Sequence, residues 1–226
     1  MMLGTAILAL WIDIDPSVRD ECDAWYVKRH IADRIAIPGW RRARRYGAVG
    51  STRPATLALY EARHPEDLIS EDYLRLQREV DETDRRMRAA FRNVVRDTFK
   101  VEYSVGAGEG GFLLSLGFQP DPGRIADGAG AEKIKNHVIA PLAALPGVIA
   151  VHLLRQAPEL RDAQDAHRKS GSDDARAHWV LLVEATQLDR VEAVLDRLDR
   201  DQNDDDLGIK AGRKGIYQLM YAVRAA

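Results

Sequence analysis

Two Pro-Gly pairs, Pro38-Gly39 and Pro146-Gly147, stand at the same point in two successive runs of secondary structure, and this coincidence constrains the chain more than its composition does. Around the first pair, Trp25 to Tyr46 reads helix, turn, strand. Trp25, Tyr26 and His30 fall within about one and a half helical turns of one another. Pro38 forbids further helix, Gly39 permits the turn, and Trp40 to Tyr46 is bulky enough to continue as a strand.

The elements on either side complete the pattern. Thr5 to Ile14 is a strand with Leu8, Leu10 and Ile12 on one face and Ile7, Trp11 and Asp13 on the other. A helix capped by Asp15 or Ser17 is expected to last to Ile37. Strands follow at Trp40–Val49 and Thr56–Ala62, then an amphipathic helix over Glu71–Val95 and a strand over Asp97–Val105. The glycine-dense Gly106 to Gly111 breaks the chain near its middle, after which the order β-α-β-β-α-β begins again. The second run is Phe112–Phe118, Ala131–Leu145, Val148–Arg155, His178–Ala185, Gln187–Leu198 and Gly215–Arg224. Gln156 to Ala177 is expected to be a long mobile connection and Arg200 to Leu207 a solvated acidic loop.

Each run splits a β-α-β unit around a hairpin, the ferredoxin-like arrangement, in which helices cover one face of a four-stranded sheet. The bare face needs a partner, and the second run supplies one in the same polypeptide. The expected fold is therefore α+β: two tandem ferredoxin-like repeats, 1–107 and 108–226, whose sheets pack into an intramolecular barrel. In Trp25, His30, Pro38, Gly39, Arg45 and Tyr46 the chain resembles the dimeric α/β barrel superfamily in a fused form, and within it the EthD-like and uncharacterised branches. Leu59-Tyr60-Glu61 and Ser70-Glu71-Asp72-Tyr73 echo the same likeness. Aligning the Pro-Gly pairs sets Val138, not His137, opposite His30.

Composition excludes several functions. A formal charge of −2 over 226 residues gives no pull toward nucleic acid. No apolar run reaches the roughly 20 residues of a membrane helix, and the apolar Met1–Trp11 runs into Asp13 and Asp15, so it reads as a strand rather than a signal peptide. Cys22 is the only cysteine, which excludes an intrachain disulfide and points to a cytoplasmic setting. The six histidines lack metal-ligand spacing, there is no phosphate loop, and neither metal nor cofactor is expected.

Candidate chemistry centres on His30, which titrates near neutral pH and can exchange a proton with a ligand. Its bland alternative is a helix histidine bonded to a neighbour. Trp11, Trp25 and Tyr26 are candidates for an aromatic wall, though aromatics at helical spacing also pack simply as core. Strand alternation places Trp40, Arg42, Arg44 and Tyr46 on one face, where Arg44 and Tyr46 could hold an anionic oxygen. The opposing view is that the second strand is a sheet edge protected by charge. Tyr60 and Asp13 complete the candidate set, and Glu61 beside Tyr60 would need Arg42 or Arg44 as partner. Two functions follow. One is a cofactor-independent enzyme or binder acting on an aromatic or polyketide-like metabolite in the barrel cavity. The other is a non-catalytic binding or oligomerisation module, a fused pseudo-dimer able to pair again as a homodimer.

Overall fold

The computed structural model describes residues 1–120, 129–165, 178–201 and 209–226. Eight strands form a closed barrel: β1 (Ala6–Ile14), β2 (Trp40–Ala48), β3 (Thr56–Ala62), β4 (Phe91–Gly106), β5 (Phe112–Pro120), β6 (Val148–Gln156), β7 (Trp179–Ala185) and β8 (Ile209–Arg224). Around the barrel they run β1-β3-β2-β8-β5-β7-β6-β4, every neighbouring pair antiparallel. Strands of the two halves are joined at β2–β8 and at β4–β6. Closure leaves no edge, so β2 is not the charged sheet margin that its arginines suggested.

The helices are more broken than the periodicity predicts. The first comprises α1 (Arg19–Trp25), a π-helical turn over Tyr26–His30, and α2 (Ile31–Ile35). The single helix expected over Glu71–Val95 is instead α3 (Glu71–Arg78) and α4 (Glu82–Ala89), with β4 already begun at Phe91. Asp81 interrupts it by accepting the backbone N–H of Asp84 in an extended cap, which restarts the helix. In the second half α5 (Ala129–Ile134), a π turn over Lys135–Ile139 and α6 (Ala140–Ala143) repeat the first helix's form. Pro158–Asp165 is a helix, α7, where a loop was expected, while α8 spans Leu188–Asp201. The rest of the expected connection, from 166 to 177, and the acidic loop from 202 to 207 lie outside the described residues.

Both Pro-Gly turns need glycine. Gly39 has φ +92° and Gly147 φ +82°, the left-handed region that a side chain disfavours. A Cβ on Gly39 would also meet Asp67 Oδ1 at 2.2 Å.

Alternation on β1 sorts the core into two layers. Leu8, Leu10 and Ile12 join Cys22, Trp25, Tyr26 and Ile31 in a cluster between sheet and helices. Ile7, Ala9 and Trp11 turn inward, where they join Tyr46, Leu59 and Phe99 with Leu113, Leu182 and Tyr217 of the second half. Among the described residues, apolar side chains of both halves thus meet across the lumen.

Candidate functional site

β2 carries a bulge between Trp40 and Arg42, which changes which residues share a face. Trp40 turns to the helix side, against Tyr60 and Tyr73, while Arg42, Arg44 and Tyr46 keep the lumen. The expectation that Trp40 lies on the face of the arginines is corrected by that one extra residue.

Inside the barrel, at the end where β1 begins, lies a charged network. Arg42 Nε meets Glu61 Oε1 at 2.6 Å, and Arg44 bridges Glu61 Oε1 at 3.2 Å and Glu184 Oε1 at 2.6 Å. Glu61 therefore has both of the arginines weighed as its partner. Neutral His152 donates from Nε2 to Glu184 Oε1 at 3.1 Å and accepts at Nδ1 from Ser104 at 2.9 Å. Gly110 N–H donates to Glu184 Oε2 at 2.9 Å and Leu3 N–H to Glu61 Oε2 at 2.8 Å. Arg42, Arg44, Glu61, His152 and Glu184 are all at least 99% buried. Strand pairing shows the symmetry of the arrangement. Arg42 faces Glu61 in one half and Ala150 faces Glu184 in the other, so Arg44 and His152 occupy matching positions. With its carboxylates committed to paired cations, this network is a strut between halves and leaves no charge for a ligand.

The candidate residues divide between the two faces of the sheet. Trp11, Arg44 and Tyr46 lie in the lumen, Trp11 edge-on to Phe99. Asp13 sits at the opposite end of the barrel, accepting from Ala55 N–H at 2.6 Å and Asn93 Nδ2 at 2.7 Å. It borders an open groove of about 560 Å³ in which acidic and basic side chains interleave. Trp25, Tyr26, His30 and Tyr60 belong to the helix side. Trp25 donates from Nε1 to Asp84 at 2.9 Å, and the Tyr26 ring carries the Arg45 guanidinium 4.0 Å from its centroid, so both are packing residues. The expected single constellation of His30 with Arg44 and Tyr46 does not form, because the sheet stands between them.

What the structure does bring together is a cavity of about 60 Å³ between sheet and helices of the first half. His30 and Tyr60 line it, joined by Arg34, Gln77, Arg88 and Arg96 over apolar walls from Leu8, Leu10 and Phe91. The π turn delivers His30, which is 6% exposed, with its ring 4.1 Å from Trp25 and 6.5 Å from Tyr60. Because the second half has the same turn, the turn belongs to the fold; what differs is its residue. Val138 and Ile139 are buried there, and His137 is exposed with Nδ1 3.0 Å from Lys133 O.

Arg34, Gln77 and Arg88 were not anticipated. Arg34 follows His30 by four residues and Gln77 follows Tyr73 by four, so each could have been placed on its neighbour's face. Burial raises the Tyr60 phenol well above its ordinary value despite the charge of Arg34, which keeps it a hydrogen-bond donor. The Cys22 thiol, pushed up to about 11 by burial, is no nucleophile at neutral pH. No group of three or more metal-ligating side chains converges among the described residues, and none of their helices is long and apolar enough to cross a membrane.

No protein-family model matches the chain. No curated protein matches it either. Solved structures do. An anthrone oxidase-like protein superposes with TM-score 0.64 at 16% identity, covering 98% of this chain and 93% of its own. The two share their fold, a closed eight-stranded antiparallel barrel with helices outside it. Other solved structures that superpose are a candidate monooxygenase from Fusobacterium nucleatum subsp. nucleatum (TM-score 0.58, 12% identity, 99% of this chain and 96% of that one) and a heme-binding protein from Thermus thermophilus (TM-score 0.60, 12% identity, 96% and 92%). At such identities the likeness extends to the barrel and not to its chemistry. A haem does not fit beside His30: the cavity holds about 60 Å³, against the several hundred Å³ of a cofactor site.

Proposed function

We propose that this dimeric α/β barrel binds a small molecule in the helix-side cavity of its first half, with His30 as the acid or base toward it. The observation that carries the reading is the pairing of enclosure with unspent polarity. Tyr60 is 1% and Gln77 8% exposed, yet the phenol oxygen and both amide atoms have no hydrogen-bond partner in the protein. Orphaned polar atoms cost about 1–3 kcal/mol each, and these three belong to residues that line one cavity, where a ligand or solvent can pair with them. An engineered cavity of about 150 Å³ takes benzene, so this smaller one encloses only the head of a ligand. The aromatic or polyketide-like body proposed from the sequence then rests at the mouth, against Phe91 and half-exposed Val94.

The same reading takes the halves, 1–107 and 108–226, as tandem ferredoxin-like repeats of EthD-like kind, supported by matching strand orders β4-β1-β3-β2 and β8-β5-β7-β6. The polar cavity described here belongs to the first half, so one ligand per chain is proposed, in a cytoplasmic protein that needs no cofactor.

Thermal unfolding with a panel of small aromatic and carboxylic acids tests it. A native-state ligand at 100 times its dissociation constant stabilises by about 2.7 kcal/mol, a rise of several degrees. A flat response across the whole panel would refute the site and favour the non-catalytic oligomerisation module, for which the apolar side chains that meet across the lumen are the supporting feature.

A further inference from the structure

We infer that this cavity is selective for a carboxylate carried on a short apolar stem, an inference that rests on the small-molecule reading above. The charges around it are one-sided. Every ionised side chain that lines the cavity is an arginine, and no aspartate or glutamate is among the lining residues. Arg34, 7% exposed, donates from Nη1 to the His30 carbonyl at 2.8 Å, a bond that orients it without neutralising it. Neither Arg34 nor Arg88 forms an ion pair among the described residues.

The acid whose charge acts on Arg88 is Asp84, and it is already engaged. It accepts from Trp25 Nε1 at 2.9 Å and lies 3.8 Å from Arg29 Nη2. Burial and the charge of Arg34 push Arg88 below its ordinary value, and Asp84 offsets this only in part. Two guanidinium groups around one small space repel each other, and an anion placed between them relieves that repulsion. The Tyr60 hydroxyl and the Gln77 amide are further donors toward the same oxygens.

The walls set the rest of the ligand. Leu8, Leu10 and Phe91 leave no partners for the third and fourth oxygens of a phosphate, whose dehydration would go uncompensated. They suit a stem of a few carbons, which gains by leaving water.

NMR titration of the full chain with butyrate, butyramide and inorganic phosphate, in low salt at neutral pH, tests the inference. Butyrate is expected to bind at least tenfold more tightly than the isosteric butyramide or than phosphate. Arg88→Gln should weaken butyrate at least tenfold and leave butyramide unchanged, while Arg88→Lys restores part of the loss; circular dichroism checks that both variants fold. Equal binding of butyrate and butyramide would overturn the anion selectivity while leaving the small-molecule site standing. Phosphate binding as tightly as butyrate would overturn the apolar stem. Silence from all three overturns the inference, and only silence from the wider acid panel as well removes the site itself.

Discussion

Replacing Glu184 by alanine is expected to cost the fold about 3–5 kcal/mol, read as a fall in the urea midpoint, because the change leaves buried Arg44 only Glu61, which it shares with Arg42, and removes the acceptor of His152 Nε2. Glu184 Oε1 receives Arg44 at 2.6 Å and His152 at 3.1 Å, and all three side chains are fully buried. Their value as a pair is not the point. Exchanging the whole network for apolar residues of similar volume is often neutral, whereas deleting one member leaves an uncompensated charge. A loss below about 1 kcal/mol would mean that the strut carries no load between the halves.

The same network fixes the sign of the pH dependence. Burial alone would raise the Glu184 carboxyl, but the bond from His152 and the charge of Arg44 hold it well below the usual carboxylate range. Burial also lowers His152 below its ordinary value. For both groups the unfolded chain takes up protons that the folded chain refuses, so stability increases with pH. The loss on acidification begins below about 6.5, where unfolded imidazole protonates, and deepens below about 4.3, where unfolded glutamate does.

His30→Ala is expected to abolish ligand-induced stabilisation while the protein still folds. The ring sits among Trp25, Tyr26 and Tyr60, so truncation removes packing and costs about 1–2 kcal/mol. Tyr46→Phe, on the lumen side, should leave binding untouched, since the sheet separates it from the cavity. A His30→Ala protein that loses much of its stability yet binds as before would assign the histidine to packing alone.

The barrel was legible in the sequence because its signals are local and repeated. The Pro-Gly turns, the period-two alternation of β1 and the second pass through the same order of elements each act over a few residues. Closure followed from the bare sheet faces, which had nothing else to cover them. The site was less legible because it depends on which face each strand shows. One bulged residue in β2 moved Trp40 to the helices and kept Arg44 in the lumen, and no pattern in Trp-Arg-Arg-Ala-Arg-Arg-Tyr marks where that residue falls. His30 and Tyr60 were recognisable as polar-capable groups beside hydrophobic runs. Arg34 and Gln77 were not singled out, since a charged or amide residue on a helix is usually solvated. Glu184 could have been found by aligning Leu-Tyr-Glu-Ala at the end of β3 with Leu-Val-Glu-Ala at the end of β7, which places two buried glutamates at matching positions.

Anomalous diffraction from a crystal of the full chain grown with 4-bromobenzoate decides where the ligand lies. The bromine peak should fall at the mouth beside Phe91 and Val94, with the carboxylate directed inward to Gln77 and Tyr60. A bromine peak within the lumen, near Trp11 or Arg44, would contradict the placement of the site between sheet and helices.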